Sequence, residues 1–192
     1  VDQVLALLDH LQLERASVVG FDFGGLVAIA LAARAPERVS GLGLIGTPHS
    51  RLKAQRDSIR QRIVQASRHG PAANADSAIQ RWFSAAFHVS HKDVVKSIRE
   101  RIASNEPSSY LALSELACEA DRETAKDARQ VKCPAVVICG ALDGESTPST
   151  ARHLSSAISG SKLVIVPRQR HMIPLEAPAL LADSLASVLG SL

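Results

Sequence analysis

Three side chains, Asp22, Asp143 and His171, have the chemistry of proton transfer and nucleophilic attack, and each stands just beyond a short apolar run. Histidine titrates near neutrality and serves as a general base. A carboxylate bonded to its other ring nitrogen fixes the tautomer and stabilises the imidazolium. A second carboxylate raised on a cramped turn is a candidate nucleophile. Asp22 sits in such a turn, Gly20-Phe21-Asp22-Phe23-Gly24-Gly25, where glycines are expected wherever a side chain would strike a neighbouring element. Each residue also has a plainer reading: Asp22 as a helix N-cap, Asp143 as a turn residue, His171 as a loop histidine.

The elements that must position them follow from periodicity. Val1 to Leu11 is apolar at helical spacing, Ser17 to Val19 is strand-prone, and Leu26 to Ala33 is an unbroken apolar run that predicts a buried helix. Val39 to Ile45 is a second apolar strand, so strand, helix and strand form a parallel unit with helices on both faces. From His49 to Lys132 strand signals vanish, and helical patterns break at Gly70-Pro71, near Ser90 and at Glu106-Pro107. Strands return at Lys132 to Gly140 and Lys162 to Val166, with helices over Thr150 to Ile158 and Pro178 to Leu189. The expected division is a core over residues 1–48, a helical lid over 49–132 and a second core segment over 133–192. Asp22, Asp143 and His171 then lie together beyond the carboxyl ends of parallel strands, where open sheets bind ligands.

Composition narrows the classes. With 46% hydrophobic and 21% charged residues, the chain has the make-up of one globular domain carrying an insertion. No apolar run is long enough for a bilayer and no signal-peptide pattern opens the chain, so a cytoplasmic location is expected and no membrane partner. A net charge of +3 with 3% aromatics argues against nucleic acid. Cys118, Cys133 and Cys139 have neither zinc nor disulfide spacing and read as reduced thiols, so neither metal nor cofactor is expected. Arg51, Lys53, Arg56, Arg60, Arg62 and Arg68 lie near one acid, Asp57; a solvated helix face is the first reading, and attraction of an anionic substrate the second. Trp82, Phe83, Phe87 and Tyr110 read first as core of the helical segment. Phe21, Trp82, Phe87, Tyr110 and Met172 are the candidate pocket residues for a small-molecule substrate. Self-association is left open.

Gly20-x-Asp22-x-Gly24 resembles the G-x-S-x-G nucleophile elbow of the α/β-hydrolase superfamily, with aspartate at the nucleophile position. Val18-Val-Gly-x-x-x-Gly-Gly-Leu-Val-Ala, Ala35-Pro-Glu-Arg-Val, Cys133-Pro-Ala-Val-Val-Ile-Cys-Gly-x-x-Asp and His171-x-x-x-Leu-Glu-Ala-Pro extend the likeness along nearly the whole chain. Arg81-Trp82-Phe83, Pro107-x-x-Tyr110 and Ala120-Asp121 resemble the cap of 3-oxoadipate enol-lactonases and related carboxylesterases. The resemblance implies an α/β-hydrolase fold, His171 as base, Asp143 as its orienter, the Phe23 N–H in an oxyanion hole, and ester or lactone hydrolysis.

Two departures accompany it. Those lactonases carry serine where this chain has Asp22. Carboxylate attack on an ester forms an energy-rich anhydride, whereas attack on an alkyl carbon forms a hydrolysable ester, which suits dehalogenases and epoxide hydrolases. Against these stand Phe23 where dehalogenases place tryptophan, and one tyrosine where epoxide hydrolases use two. The expectation is a lactonase-like hydrolase with its serine replaced, in which Asp22 raises the pKa of His171 and holds it charged. Dehalogenase, epoxide hydrolase and non-catalytic binding protein are the alternatives. In the family several strands also precede the elbow strand. An upstream segment or companion chain is therefore expected to cover an otherwise bare apolar edge at Val18 and Val19.

Overall fold

In the computed structural model, which describes residues 1–190, α1 (Asp2–His10) leads into β1 (Ala16–Phe21), α2 (Phe23–Arg34) and β2 (Val39–Ile45). Five helices follow: α3 (Lys53–His69), α4 (Ala75–Trp82), α5 (Ala85–Ser90), α6 (Lys92–Ala103) and α7 (Pro107–Glu123). The chain then returns through β3 (Ala135–Gly140), α8 (Pro148–Ala157), β4 (Lys162–Val166), the single turn α9 (Ile173–Glu176) and α10 (Pro178–Leu189). All pairings are parallel, in the order β1-β2-β3-β4. Among the described residues no helix is long and apolar enough to cross a membrane.

The period of two in the strands divides the core into two layers. Leu42 and Leu44 of β2 and Val137 and Cys139 of β3 face α2 and α8, where Ile29, Leu31, Ala32 and Leu154 complete one cluster. Ile45, Val136 and Ile138 face the other way, against Leu181 and Leu185 of α10. Gly41 and Gly43 let α10 approach: a Cβ at either would meet a leucine methyl of α10 at 2.7 and 2.6 Å. Buried on several sides, α2 needs no polar face, which explains its apolar run. On β1 the outer edge has no strand partner among the described residues, Val18 is only partly buried, and Val19 is 44% exposed.

A buried ion pair joins α3 to α7. Arg56 is 1% exposed, and its guanidinium donates to both oxygens of the fully buried Asp121 at 2.8 and 2.9 Å and to the Cys118 carbonyl. The basic run of α3 therefore divides. Lys53, Arg60 and Arg68 are exposed, with Asp57 taking bonds from Lys53 and Arg60; Arg56 turns into the protein as a staple. A third apolar cluster around Ile79, Phe83, Phe87 and Ile102 consolidates α4, α5 and α6. The helix stops have local causes. Gly70 leaves α3 at φ +78° with Pro71 behind it, and Glu106 caps α7 by accepting from Ser108 N–H and Ser109 N–H before Pro107.

Candidate active site

β1 runs into the turn at residue 22, where the Asp22 N–H donates to Ile45 O at 2.9 Å and the Gly25 N–H returns to Asp22 O at 3.0 Å. Asp22 is held at φ +48°, ψ −117°, a conformation rarely occupied by residues with a side chain, and its presence marks a constrained turn. Gly20 and Gly25 make the turn possible: a Cβ on Gly20 would lie 2.3 Å from Gly24 O, and one on Gly25 would lie 1.9 Å from Thr47 Oγ1. Gly24 differs from the expectation, since a Cβ there would meet nothing within 4 Å. The N-cap reading of Asp22 is also corrected: the residue sits at the N-cap of α2, but its side chain makes no capping hydrogen bond.

Asp143 follows β3 and is buried. Its Oδ1 accepts from the N–H groups of Glu145 and Ser146 at 2.8 and 3.0 Å, leaving Oδ2 for His171 Nδ1 at 2.9 Å. His171, buried, follows β4. Its backbone N–H and that of Met172 both donate to Trp82 O at 3.1 Å, so the end of α4 pins the histidine loop. Two glycines at strand ends, Gly140 and Gly46, shape this junction. Gly140 permits the close passage of the loop, since its Cβ would lie 2.2 Å from Arg170 O. Gly46, at φ +54°, leaves room for the imidazole, whose Cε1 would be 3.0 Å from a Cβ there.

The charges in this site are coupled. Burial pushes the Asp22 carboxyl up, opposed by the positive fields of His171 and Arg51 and by the Phe23 N–H, and the net direction is upward. Burial alone would lower His171, but the hydrogen bond and charge of Asp143, then the charges of Asp22 and Glu145, outweigh it and raise the imidazole above its ordinary 6.5. The sign agrees with the expectation that a carboxylate at position 22 favours the imidazolium. Asp22→Asn should therefore lower the His171 pKa, read as a lower titration midpoint of its ring resonances by NMR; an unchanged midpoint would show that Asp22 has no part in setting it. By linkage, the stability supplied by His171 is full below 6.5 and is lost as pH rises through the higher folded value.

Asp22 and His171 open into a cavity of about 320 Å³ roofed by α3, α4, α6 and α7. Of the candidate pocket residues, Trp82 and Tyr110 line it. Three other candidates do not. Phe87 is buried against Phe83 at 5.0 Å and stacks on His91, and Met172 packs on that same cluster, because the apolar faces of α4, α5 and α6 meet each other before they meet the cavity. Phe21 packs on the α10 side of the sheet with its ring 4.9 Å from that of His171, touching the imidazole from outside the cavity. Sequence reasoning missed Asn74, Arg81 and Glu145 as cavity residues, and it placed Arg51 and Arg62 in a basic run read first as a solvated face and second as a field for an anionic substrate. Glu145 is bonded to both Arg62 and Arg81, drawing α3 and α4 onto the Asp143 loop. The only local signal was a charged residue two places after Asp143.

A parallel sheet with helices on both faces, an elbow after its first strand and a carboxylate-histidine pair after its last two define a class. The chain belongs to the alpha/beta hydrolase fold family, whose model matches residues 1–178. Its relatives include 3-oxoadipate enol-lactonase 2 of Acinetobacter baylyi, 29% identical over 175 residues, and the pimeloyl-[acyl-carrier protein] methyl ester esterase of Chromobacterium violaceum, 27% identical over 169. These matches cover 91% and 81% of this chain but 64% and 63% of those proteins, so the chain spans less than two thirds of their length. Among solved structures, the enol-lactonase of Burkholderia xenovorans LB400 superposes with a TM-score of 0.83 at 30% identity, covering 96% of this chain and 69% of that one.

Proposed function

We propose that the protein is a hydrolase of carboxylic esters or lactones of small acids, with position 22 as nucleophile site, His171 as general base and Asp143 as its orienter. The observation that carries this reading is the 2.9 Å bond from His171 Nδ1 to Asp143 Oδ2 in a cavity whose wall also holds the strained Asp22. In the reaction the Asp22 carboxylate attacks the acyl carbon with no proton to give up, and the alcohol leaves by taking a proton from the His171 imidazolium. The Phe23 N–H stabilises the oxyanion at the mouth of α2, where the helix dipole favours negative charge. Water activated by His171 then releases the acid. With aspartate at 22 the acyl-enzyme is an anhydride and His171 is biased toward its protonated form, so ester turnover is slow. The proposal includes a further strand, from the same polypeptide or a companion chain, against β1; the unpaired edge and exposed Val19 support it.

A carboxylate at the elbow also favours a second reading, attack of Asp22 on an alkyl carbon. The Asp22 oxygen bonds to carbon as halide or epoxide oxygen leaves with the electron pair, and His171-activated water hydrolyses the resulting ester. Mass spectrometry of chain quenched during incubation separates the readings. Gain of the alkyl mass on the peptide bearing Asp22 from a haloalkane or epoxide supports the second. Release of acid from p-nitrophenyl acetate or a γ-lactone, lost in His171→Ala, supports the first. Neither signal from any substrate overturns both.

A further inference from the structure

A second cleft, of about 590 Å³, lies between the loop after β2, the 3-10 turn Asp127–Gln130 and α8. His49 and Ser50 of the loop, Arg129 of the turn, and His153 and Ser156 of α8 line it, with small alanine side chains between them. His153 and Ser156 stand three apart and so share one helix face. None of these residues lines the cavity at Asp22, and no acidic residue is among them.

His49 distinguishes the cleft from a plain surface groove. It is 7% exposed, yet its imidazole makes no hydrogen bond among the described residues, whereas a buried imidazole ordinarily pairs one nitrogen as donor and the other as acceptor. Neither ring nitrogen is sealed from solvent, and the residue lines the cleft, so a molecule there can reach them. Burial pushes the His49 pKa below its ordinary 6.5; Asp121 opposes this, and the positive fields of His153 and Arg129 add to the depression. Both cations are therefore close enough to be felt at the His49 ring. Asp121 does not neutralise them, because its oxygens are taken by the Arg56 fork and the Arg51 backbone N–H. Arg129 and His153 are exposed and enter no ion pair or side-chain hydrogen bond among the described residues.

Donors thus reach this space from a loop, a turn and a helix face, with net positive charge and no counter-ion. A carboxylate presents two oxygens in one plane, whereas a phosphate group presents three in a tetrahedral array, which suits donors arriving from three directions. A metal cation between the imidazoles would be repelled by the Arg129 guanidinium. We propose that His49, Arg129 and His153 form a binding site for a phosphate group, free or carried as a monoester, with Arg129 as its charged anchor and the Ser50 and Ser156 hydroxyls as further donors. The site shares no residue with the hydrolase machinery and does not depend on that reading.

Titration of the protein with inorganic phosphate, glycerol 3-phosphate and succinate, followed through the histidine ring resonances by NMR, tests the site. Both phosphates should shift His49 and His153 and leave His171 unmoved. At saturation they should also raise the His49 midpoint, since an anion favours the imidazolium. Tighter binding of glycerol 3-phosphate than of phosphate identifies a monoester as the ligand, and equal or weaker binding identifies the free ion. Arg129→Gln, at an exposed position, should weaken both by about tenfold or more, the range for a hydrogen bond to a charged group. No shift of His49 and His153 at millimolar phosphate, a shift confined to His171, or Arg129→Gln binding as before would each overturn the site. Succinate binding as tightly as phosphate would overturn its assignment to a tetrahedral anion.

Discussion

Asp22→Ser should raise the hydrolysis of p-nitrophenyl acetate by at least about a hundredfold, the low end of what a working general base contributes. Two physical changes act together. The acyl-enzyme becomes an ester in place of an anhydride, and the serine hydroxyl can give its proton to His171 during attack. The substitution also removes one of the negative charges that raise the imidazole. His171 retains Asp143 as its 2.9 Å partner, so its tautomer and orientation are kept. Serine is smaller than aspartate and inherits a backbone already held at φ +48° by its neighbours, so the turn does not have to rearrange. The kcat for the activated ester is the measurement, with Asp22→Ser/His171→Ala as the control that should return it to background. An Asp22→Ser variant as silent as the unaltered protein would count decisively against position 22 as a nucleophile site for esters.

Asp121→Ala should destabilise the protein by about 3–5 kcal/mol, the cost of leaving a buried charge without its counter-ion. Arg56 is 1% exposed and would keep only the Cys118 carbonyl and a partly exposed Glu119, 3.8 Å away, as partners. The Arg51 N–H would lose its acceptor too, so the α3–α7 contact loosens on the wall of the cavity. In a chain of this size the loss appears as a fall in Tm on the order of 10 °C. The double replacement Arg56→Met/Asp121→Leu should recover most of the loss, because it removes both the charge and its demand for a partner. A single-variant loss below about 1 kcal/mol would mean that water reaches the guanidinium and that the pair is no staple.

Much of the scaffold was legible because it is written in local patterns. Val39–Ile45 and Lys162–Val166 are strands with the bounds their apolar runs predict, since each is a short run bounded by glycine or proline turn residues. The breaks at Gly70-Pro71 and Glu106-Pro107 are helix ends because glycine and proline act on the backbone wherever they stand. The positions of Asp22, Asp143 and His171 just beyond strands follow from the same reading; against burial, the His171 pKa is raised first by Asp143 and only then by Asp22, the residue the sequence reading invokes.

What the chain by itself determined was the order and kind of its elements and the residue types placed at the strand ends. Only the tertiary structure decided which side chains share a space. Whether Arg56 faces solvent or Asp121, 65 positions away, depends on how α3 is rotated about its axis against α7, and helical periodicity does not encode that choice when several faces are basic. Likewise the packing of α4, α5 and α6 drew Phe87 into their mutual core, while the meeting of α3, α4 and the Asp143 loop joined Arg62 and Arg81 to Glu145. Periodicity is a property of neighbours along the chain; the charge and shape of a cavity are set by residues brought together across it.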